Sequence, residues 1–154
     1  MQTTNPLNVR GLFLQDTRRT SLTMARVLMV LAAVGALAAA VSSLQVVRGA
    51  GPETLVVEIW RFAGFILFSD LFALLAYRPL HYAGVWEMVI LNKLVLTIAA
   101  LTYASGANGA AEVALVDGIL TGVLIAAYVL SRGWRAWSNQ ESNTRIRRKE
   151  YAHS

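Results

Sequence analysis

Charged and amide side chains stand inside the apolar stretches of this sequence, at positions where a membrane helix normally carries only hydrocarbon. They are Glu58, Arg61, Asp70, Glu87, Asn92, Lys93 and Asp117. A charge at bilayer depth costs about 2.5–3.5 kcal/mol on insertion scales, so such groups are paired, hydrated or used in function. Two carboxylates, an amide and an amine, at Asp70, Glu87, Asn92 and Lys93, are the chemical types that line a polar cavity or carry protons.

The elements that must position these groups are helices in a membrane. The chain of 154 residues is 56% hydrophobic and 15% charged, more apolar than an ordinary soluble domain. A helix of about 20 apolar residues crosses a hydrocarbon core about 30 Å thick. The sequence therefore predicts an all-α fold, an integral membrane antiparallel four-helix bundle with short loops. Its helices are expected at 24–47, 54–77, 84–104 and 110–131, between an N-terminal segment at 1–23 and a basic tail at 132–154.

The N-terminal segment has alternative interpretations. Residues 1–23 are polar and are expected to form either a short interfacial segment or a disordered tail. Arg18 and Arg19 also resemble a twin-arginine export signal, with Ala38–Ala40 as small residues for cleavage. The apolar run that follows is longer than the apolar region of a signal peptide, which typically has 7–15 residues. We therefore expect an uncleaved first membrane helix.

The positive charges predict the orientation. Lysine and arginine cluster in the N-terminal segment, near Arg78 and in the tail, whereas the other side receives only Arg48. The positive-inside rule then places both termini in the cytoplasm of a multi-pass protein of the inner (plasma) membrane. The same bias accounts for the net charge of +5, so no nucleic-acid partner is expected. Trp134 and Trp137 form an aromatic border to the last helix, and the tail is expected to contact anionic lipid through Arg145, Arg147, Arg148 and Lys149.

Depth along the helices predicts which charges meet. At about 1.5 Å per residue, Arg61 and Asp117 lie at similar depth, and Lys93 lies near the depth of Asp70. We therefore expect an outer ion pair of Arg61 with Asp117, to which Glu58 adds, and an inner cluster of Lys93 with Asp70 and Glu87. Arg61 and Asp70 are expected on opposite sides of their helix, because nine residues at about 100° each separate them by half a turn.

Several kinds of site are not expected. The chain has no cysteine, which excludes disulfides, iron–sulfur ligation and thiol chemistry. His81 and His153 fall in a loop and in the tail, so they cannot supply facing axial ligands to a haem within one chain. No metal, cofactor or catalytic residue is predicted.

Four short motifs lie between Trp60 and Trp134: Arg61 followed by Phe-Ala-Gly, Trp86-Glu87 at the start of a helix, Asn92-Lys93 within that helix and Asp117-Gly118 in the last one. In these motifs the stretch resembles the DoxX-like families of small bacterial membrane proteins. The resemblance implies a compact four-helix fold and carries little about chemistry, because such families are mostly of unassigned activity.

Three functions fit these residues. The first is an accessory or assembly subunit that holds other membrane subunits, or further copies of itself, through its polar interior. The second is a small transporter or channel-like oligomer with a pathway lined by Asp70, Glu87, Asn92 and Lys93. The third is a membrane enzyme or quinone-site protein that uses Lys93 or Glu87 for proton transfer, although no metal, nucleophile or phosphate motif accompanies them.

Overall fold

The computed structural model describes residues 6–103 and 106–152, with the side chains of residues 6–14, 16, 143 and 145–152 left out. The described residues form helices and turns, with no strand among them. The helices are α1 (Pro6–Gly49), α2 (Leu55–Tyr77), α3 (Val85–Tyr103), α4 (Ala110–Ser131) and α5 (Arg135–Ala152). The expectation of an all-helical chain is confirmed for these residues.

Four of the helices are long and apolar enough to cross a membrane. The apolar segments are Thr17–Gly49, Leu55–Tyr77, Val85–Tyr103 and Ala110–Ser131. Large apolar side chains are exposed along all four, including Leu31, Leu67, Leu101 and Leu115. Exposed apolar surface of this extent is what a helix presents to lipid rather than to water. The chain is therefore a small multi-pass membrane protein.

The polar N-terminal segment is more helical than expected, and the tail is helical as well over its described residues. Helix α1 has 44 residues and begins at Pro6, so the polar segment before residue 24 continues the first apolar run as one helix. Proline is well suited to the first turn of a helix, and no second proline interrupts the segment before Pro52. Residues 135–152 of the tail likewise form α5. At about 1.5 Å per residue α1 is about 66 Å long, more than twice the thickness of a hydrocarbon core.

The α2–α3 loop is closed by residues with restricted backbones. Helix α2 ends where the Arg78 amide donates to the Leu74 carbonyl, directly before Pro79. Gly84, with φ of 86°, leads into α3 in a conformation that residues with a Cβ adopt at a cost. The loop is therefore short and fixed, which sets the height of α3 relative to α2.

The helices share an apolar core. Helix α1 packs on α2 and on α4, α3 packs on α4, and α2 touches α3 only sparsely. The largest fully buried side chains are Trp86, Phe72, Met29, Leu75, Leu124 and Val89. Two hydroxyls connect α1 to its neighbours: Ser69 of α2 donates to the Ala33 carbonyl and Ser21 of α1 to the Leu130 carbonyl.

We call one end of this assembly the basic end. There Ser21 of α1 meets Leu130 of α4, and Asn139 of α5 donates to the Leu80 carbonyl of the α2–α3 loop. The arginines at or beside this end include Arg18, Arg19, Arg78, Arg132 and Arg135. The Trp86 part of the core lies just inside it, because Trp86 is in the first turn of α3.

Candidate functional site

A buried ion pair joins α3 to α4. Lys93 Nζ lies 2.8 Å from Asp117 Oδ1, and the two side chains are only 7% and 10% exposed. The lysine also lies over the ring of Phe68 on α2, with Nζ 4.2 Å from the ring centroid. Such a cation–π contact adds to the ion pair where water is excluded. Three helices thus converge on one ammonium group.

Two threonines next to the ion pair bond within their own helices. Thr97 Oγ1 donates to the Lys93 carbonyl at 2.8 Å, and Thr121 Oγ1 donates to the Asp117 carbonyl at 2.7 Å. Each is the ordinary bond of a helical hydroxyl to the residue four positions earlier. The hydroxyls are therefore satisfied without competing for the Lys93 ammonium or the Asp117 carboxylate, so the ion pair is a direct contact between two opposite charges.

The predicted pairing of Arg61 with Asp117 is wrong, because Asp117 is engaged by Lys93. Arg61 instead lies beside Glu58 on its own helix, with Nη1 3.0 Å from Oε2 and the arginine side chain 53% exposed. These atoms are not aligned as a hydrogen bond, so Glu58 Oε2 has no hydrogen-bond partner among the described residues. The Glu58 side chain is only 12% exposed, so the pair is open to its surroundings on the arginine side alone. A pair three residues apart on one helix contributes about 0.2–0.5 kcal/mol.

The predicted inner cluster of Lys93 with Asp70 and Glu87 does not form either. Asp70 is exposed on α2, and no hydrogen bond or ion pair involves it within the described part of the chain. The estimate of depth along the helices did not identify the partner of Lys93. Depth gives the height of a side chain along its helix but not the direction in which it points. The rotation of α2 about its axis, which directs Phe68 and Phe72 inward, directs Asp70 outward.

Asn92 is likewise exposed, beside the buried Lys93 on α3. Glu87 is part of a separate cluster near the basic end. Its Oε1 accepts hydrogen bonds from the Tyr128 hydroxyl at 2.8 Å and from Trp137 Nε1 at 3.2 Å. A carboxylate in the first turn of α3 is also favoured by the positive end of the helix dipole. The four candidates for a polar pathway therefore do not come together: Asp70 and Asn92 are exposed on different helices, Lys93 is in the buried ion pair and Glu87 is in a separate cluster.

The Glu87 cluster contains residues whose role the sequence did not reveal. Trp86 is buried and donates from Nε1 to the Pro79 carbonyl at 2.8 Å. Its ring packs on Tyr128, with centroids 5.9 Å apart, and Tyr128 packs edge-on against Trp134 at 5.7 Å. The sequence predicted only an aromatic border here. Trp134 and Trp137, three residues apart after Ser131, were the available signal. An aromatic border at a membrane surface and a packed aromatic cluster have the same composition, so this signal did not distinguish them.

Gly133 leaves the space that Tyr128 occupies. A Cβ at this position would lie 2.6 Å from Tyr128 Cε2 and 3.0 Å from Trp86 Cδ1, too close for either ring. The Tyr128 ring cannot move freely, because Glu87 and two tryptophans hold it. We expect Gly133→Ala to lower the free energy of unfolding by about 1–3 kcal/mol through overpacking.

The matched control for Gly133→Ala is Gly122→Ala on α4. A Cβ at Gly122 meets no heavy atom within 4 Å, so this change is expected to be neutral or stabilising by up to about 1 kcal/mol. Thermal unfolding of both variants in the same detergent measures the difference. Equal stability of the two variants would contradict the close packing at Gly133.

Comparisons with protein-family models, with curated proteins and with solved structures find no match to this chain. The resemblance to the DoxX-like families therefore rests on the quoted residues alone. The expected lipid contacts of Arg145, Arg147, Arg148 and Lys149 concern side chains outside the described residues. The features that bear on function are the buried Lys93–Asp117 pair, the Glu87 cluster and the exposed Asp70.

Proposed function

We propose that this chain is an accessory or assembly subunit of the bacterial inner membrane. In this proposal its four apolar helices form an antiparallel bundle with both termini in the cytoplasm, and the Lys93–Asp117 pair lies within the bilayer. The bundle holds a partner membrane helix against the outward face of α2. The observation that supports this role is Asp70, an acidic side chain exposed in an apolar helix.

The position of Asp70 makes exposure to lipid unfavourable. At about 1.5 Å per residue it lies about 22 Å along α2 from Leu55 and about 10 Å from Tyr77. An ionisable group at such a depth costs about 2.5–3.5 kcal/mol unless protein or water surrounds it. No described residue of this chain covers Asp70, so the compensating group is expected to come from outside the chain.

The surface around Asp70 has the pattern of a helix–helix contact. The exposed residues on this face of α2 recur at alternating intervals of four and three: Ile59, Ala63, Ile66, Asp70, Ala73 and Tyr77. This spacing forms a continuous stripe along a helix and is typical of a contact between two helices. Ala73 lies one turn after Asp70 and Ala63 two turns before it, and small residues permit the close approach on which membrane helices depend.

The chemistry of the partner follows from the carboxylate. A basic side chain, or an amide or hydroxyl that donates a hydrogen bond, is expected opposite Asp70 at the same depth. One buried charge at the centre of an apolar contact also fixes the register of the two helices, as a single polar residue does in a coiled coil. This suits a subunit that must recognise one partner.

The alternative is a channel-like oligomer of this chain. Asn92 lies about 10 Å from the start of α3 and Asp70 about 10 Å from the end of α2, so both have the same height above the loop that joins these helices. Copies arranged around an axis along the membrane normal would therefore bring Asp70 of one copy to the level of Asn92 of the next. Lys93 and Glu87, which have partners within the chain, would not belong to such a pathway.

Photo-crosslinking from the α2 face tests the accessory role. A photoreactive residue placed at Ala73 is expected to capture a membrane protein in native membranes, through a helix that carries a basic or hydrogen-bond-donating side chain. The Asp70→Leu change should reduce the yield by about tenfold, as expected for a loss of about 1.4 kcal/mol. Peptide mass spectrometry of the crosslinked product identifies the captured segment.

Two controls make the crosslinking result specific. A photoreactive residue at Val116, exposed on α4, is expected to capture mainly lipid. Glu112→Leu makes the same acid-to-leucine change at an exposed site in the first turn of α4 and should leave the Ala73 crosslink unchanged. Capture of a second copy of this chain alone, from a monodisperse homo-oligomer, would reject the accessory role and favour the channel-like alternative.

A further inference from the structure

A half-open cavity of about 850 Å³ lies at the basic end. It is bounded by the stretch of α1 around Ser21, by Leu80 of the α2–α3 loop and by the end of α4. The hydrogen bond from Ser21 to the Leu130 carbonyl holds α1 against α4 beside it. A volume of this size accommodates a ligand as large as a phospholipid headgroup with the first carbons of its chains.

The walls of the cavity combine positive charge with apolar surface. Arg18, Arg19 and Arg132 line it, and none of the described lining residues is acidic. Leu22 and Leu130 supply apolar surface beside these guanidinium groups. Guanidinium groups bind phosphate oxygens through paired, charge-assisted hydrogen bonds. The walls therefore suit a molecule that has a phosphate at one end and hydrocarbon at the other.

The backbone of Arg132 supplies an independent observation. Arg132 is the one described residue other than glycine with a positive φ, at 56°. Its amide donates to the Val129 carbonyl and so closes α4, a position that glycine usually occupies. A side chain that is retained in an unfavourable backbone conformation is often one that a site needs.

From the cavity, its three arginines and the backbone of Arg132, we infer that the basic end is a binding site for a phosphate ester. The site lies where the apolar part of α4 ends at Ser131, the level at which the headgroups of a bilayer begin. A phosphate ester can reach it as the headgroup of an anionic phospholipid or as a soluble molecule. This inference does not depend on the proposed function.

Binding of dioctanoyl phosphatidic acid to the full-length protein in detergent tests the inference. Isothermal titration calorimetry is expected to detect binding of this lipid. Dioctanoyl phosphatidylcholine, in which the positive charge of choline neutralises the phosphate, is expected to bind with lower affinity. Titration with glycerol phosphate separates the two sources: affinity equal to that of the lipid assigns a soluble ester, and binding of the lipid alone assigns a headgroup. Failure of phosphatidic acid to bind more tightly than phosphatidylcholine, with no binding of glycerol phosphate, overturns the inference.

Two sets of variants locate the site. Arg18→Gln with Arg19→Gln should weaken binding about tenfold or more, because it removes charge-assisted hydrogen bonds to the phosphate. Arg48→Gln with Arg61→Gln removes the same charge near the α1–α2 turn, at the other end of these helices, and should change affinity by about twofold at most, because distant exposed charges are screened by salt. An equal loss of affinity in the two double variants would mean that anions are attracted to the basic protein in general. That result would overturn the assignment of the site to the basic end.

Arg132→Gly separates binding from folding. Glycine adopts the backbone conformation of this position without strain, so the melting temperature is expected to stay the same or rise while affinity for phosphatidic acid falls. An arginine with only a structural role would give the opposite pattern, a lower melting temperature with affinity unchanged.

Discussion

Replacing Lys93 with methionine is expected to lower the free energy of unfolding by about 3–5 kcal/mol, because it leaves the buried Asp117 carboxylate without its partner. Asp117→Leu should cost a similar amount for the converse reason. The double change Lys93→Met with Asp117→Leu removes both charges and keeps apolar volume between α3 and α4. It should therefore recover most of the lost stability, since a buried pair and a packed apolar contact are often close in free energy. Unfolding of the purified protein by titration of a denaturing detergent, followed by circular dichroism, measures all three variants.

Arg61→Met is the matched control for the loss of a positive charge. Arg61 is half exposed and lies beside Glu58 on its own helix, so its replacement is expected to change the free energy of unfolding by less than about 1 kcal/mol. Two results would contradict the interpretation of the buried pair. One is a double variant whose loss equals the sum of the two single losses, and the other is an Arg61→Met variant as unstable as Lys93→Met.

Trp86→Ala is expected to cost about 3–5 kcal/mol, the range for removal of a large, fully buried aromatic side chain. Trp86 connects the start of α3 to the α2–α3 loop through its bond to the Pro79 carbonyl, and to α4 through the Tyr128 ring. Trp86→Phe keeps an aromatic ring but leaves the Pro79 carbonyl without its donor. It should therefore cost about 1–3 kcal/mol. Thermal unfolding in one detergent ranks the two variants.

Trp60→Ala is the control for the loss of an indole ring. Trp60 is 77% exposed on α2, so its replacement is expected to change stability by no more than about 0.5 kcal/mol. A Trp86→Phe variant as stable as the unsubstituted protein would show that the bond to the Pro79 carbonyl contributes nothing. Equal losses from Trp60→Ala and Trp86→Ala would contradict the position of Trp86 in the core.

Hydropathy predicted the number and approximate limits of the apolar helices, because the length of an apolar run follows directly from the thickness of the hydrocarbon layer. The three later helices begin and end within a few residues of their expected positions. The N-terminal segment is helical, contrary to the expectation of a short interfacial segment or a disordered tail. Polar residues do not end a helix when no proline or cap interrupts the backbone. Helix α1 therefore continues outward to Pro6.

The sequence did not predict which charged residues pair with one another. Depth placed Lys93 within about one helical turn of both Asp117 and Asp70, a difference that a lysine side chain can span. Depth alone therefore allowed either carboxylate to be the partner of Lys93. The Glu87 cluster was missed for a related reason, because Trp137 lies 50 residues from Glu87 in sequence and reaches it only through the turn at 132–134.

The sequence by itself determined that this is a small membrane protein with four apolar helices, that acidic and basic groups stand within them and that positive charge gathers beside one set of helix ends. Only the tertiary structure decided that Asp117 is the partner of Lys93, that Asp70 faces outward and that Arg18, Arg19 and Arg132 share a cavity. The physical reason is rotation about the helix axis. Helical periodicity fixes the angles between side chains on one helix, whereas packing against the other helices decides which of those faces points inward.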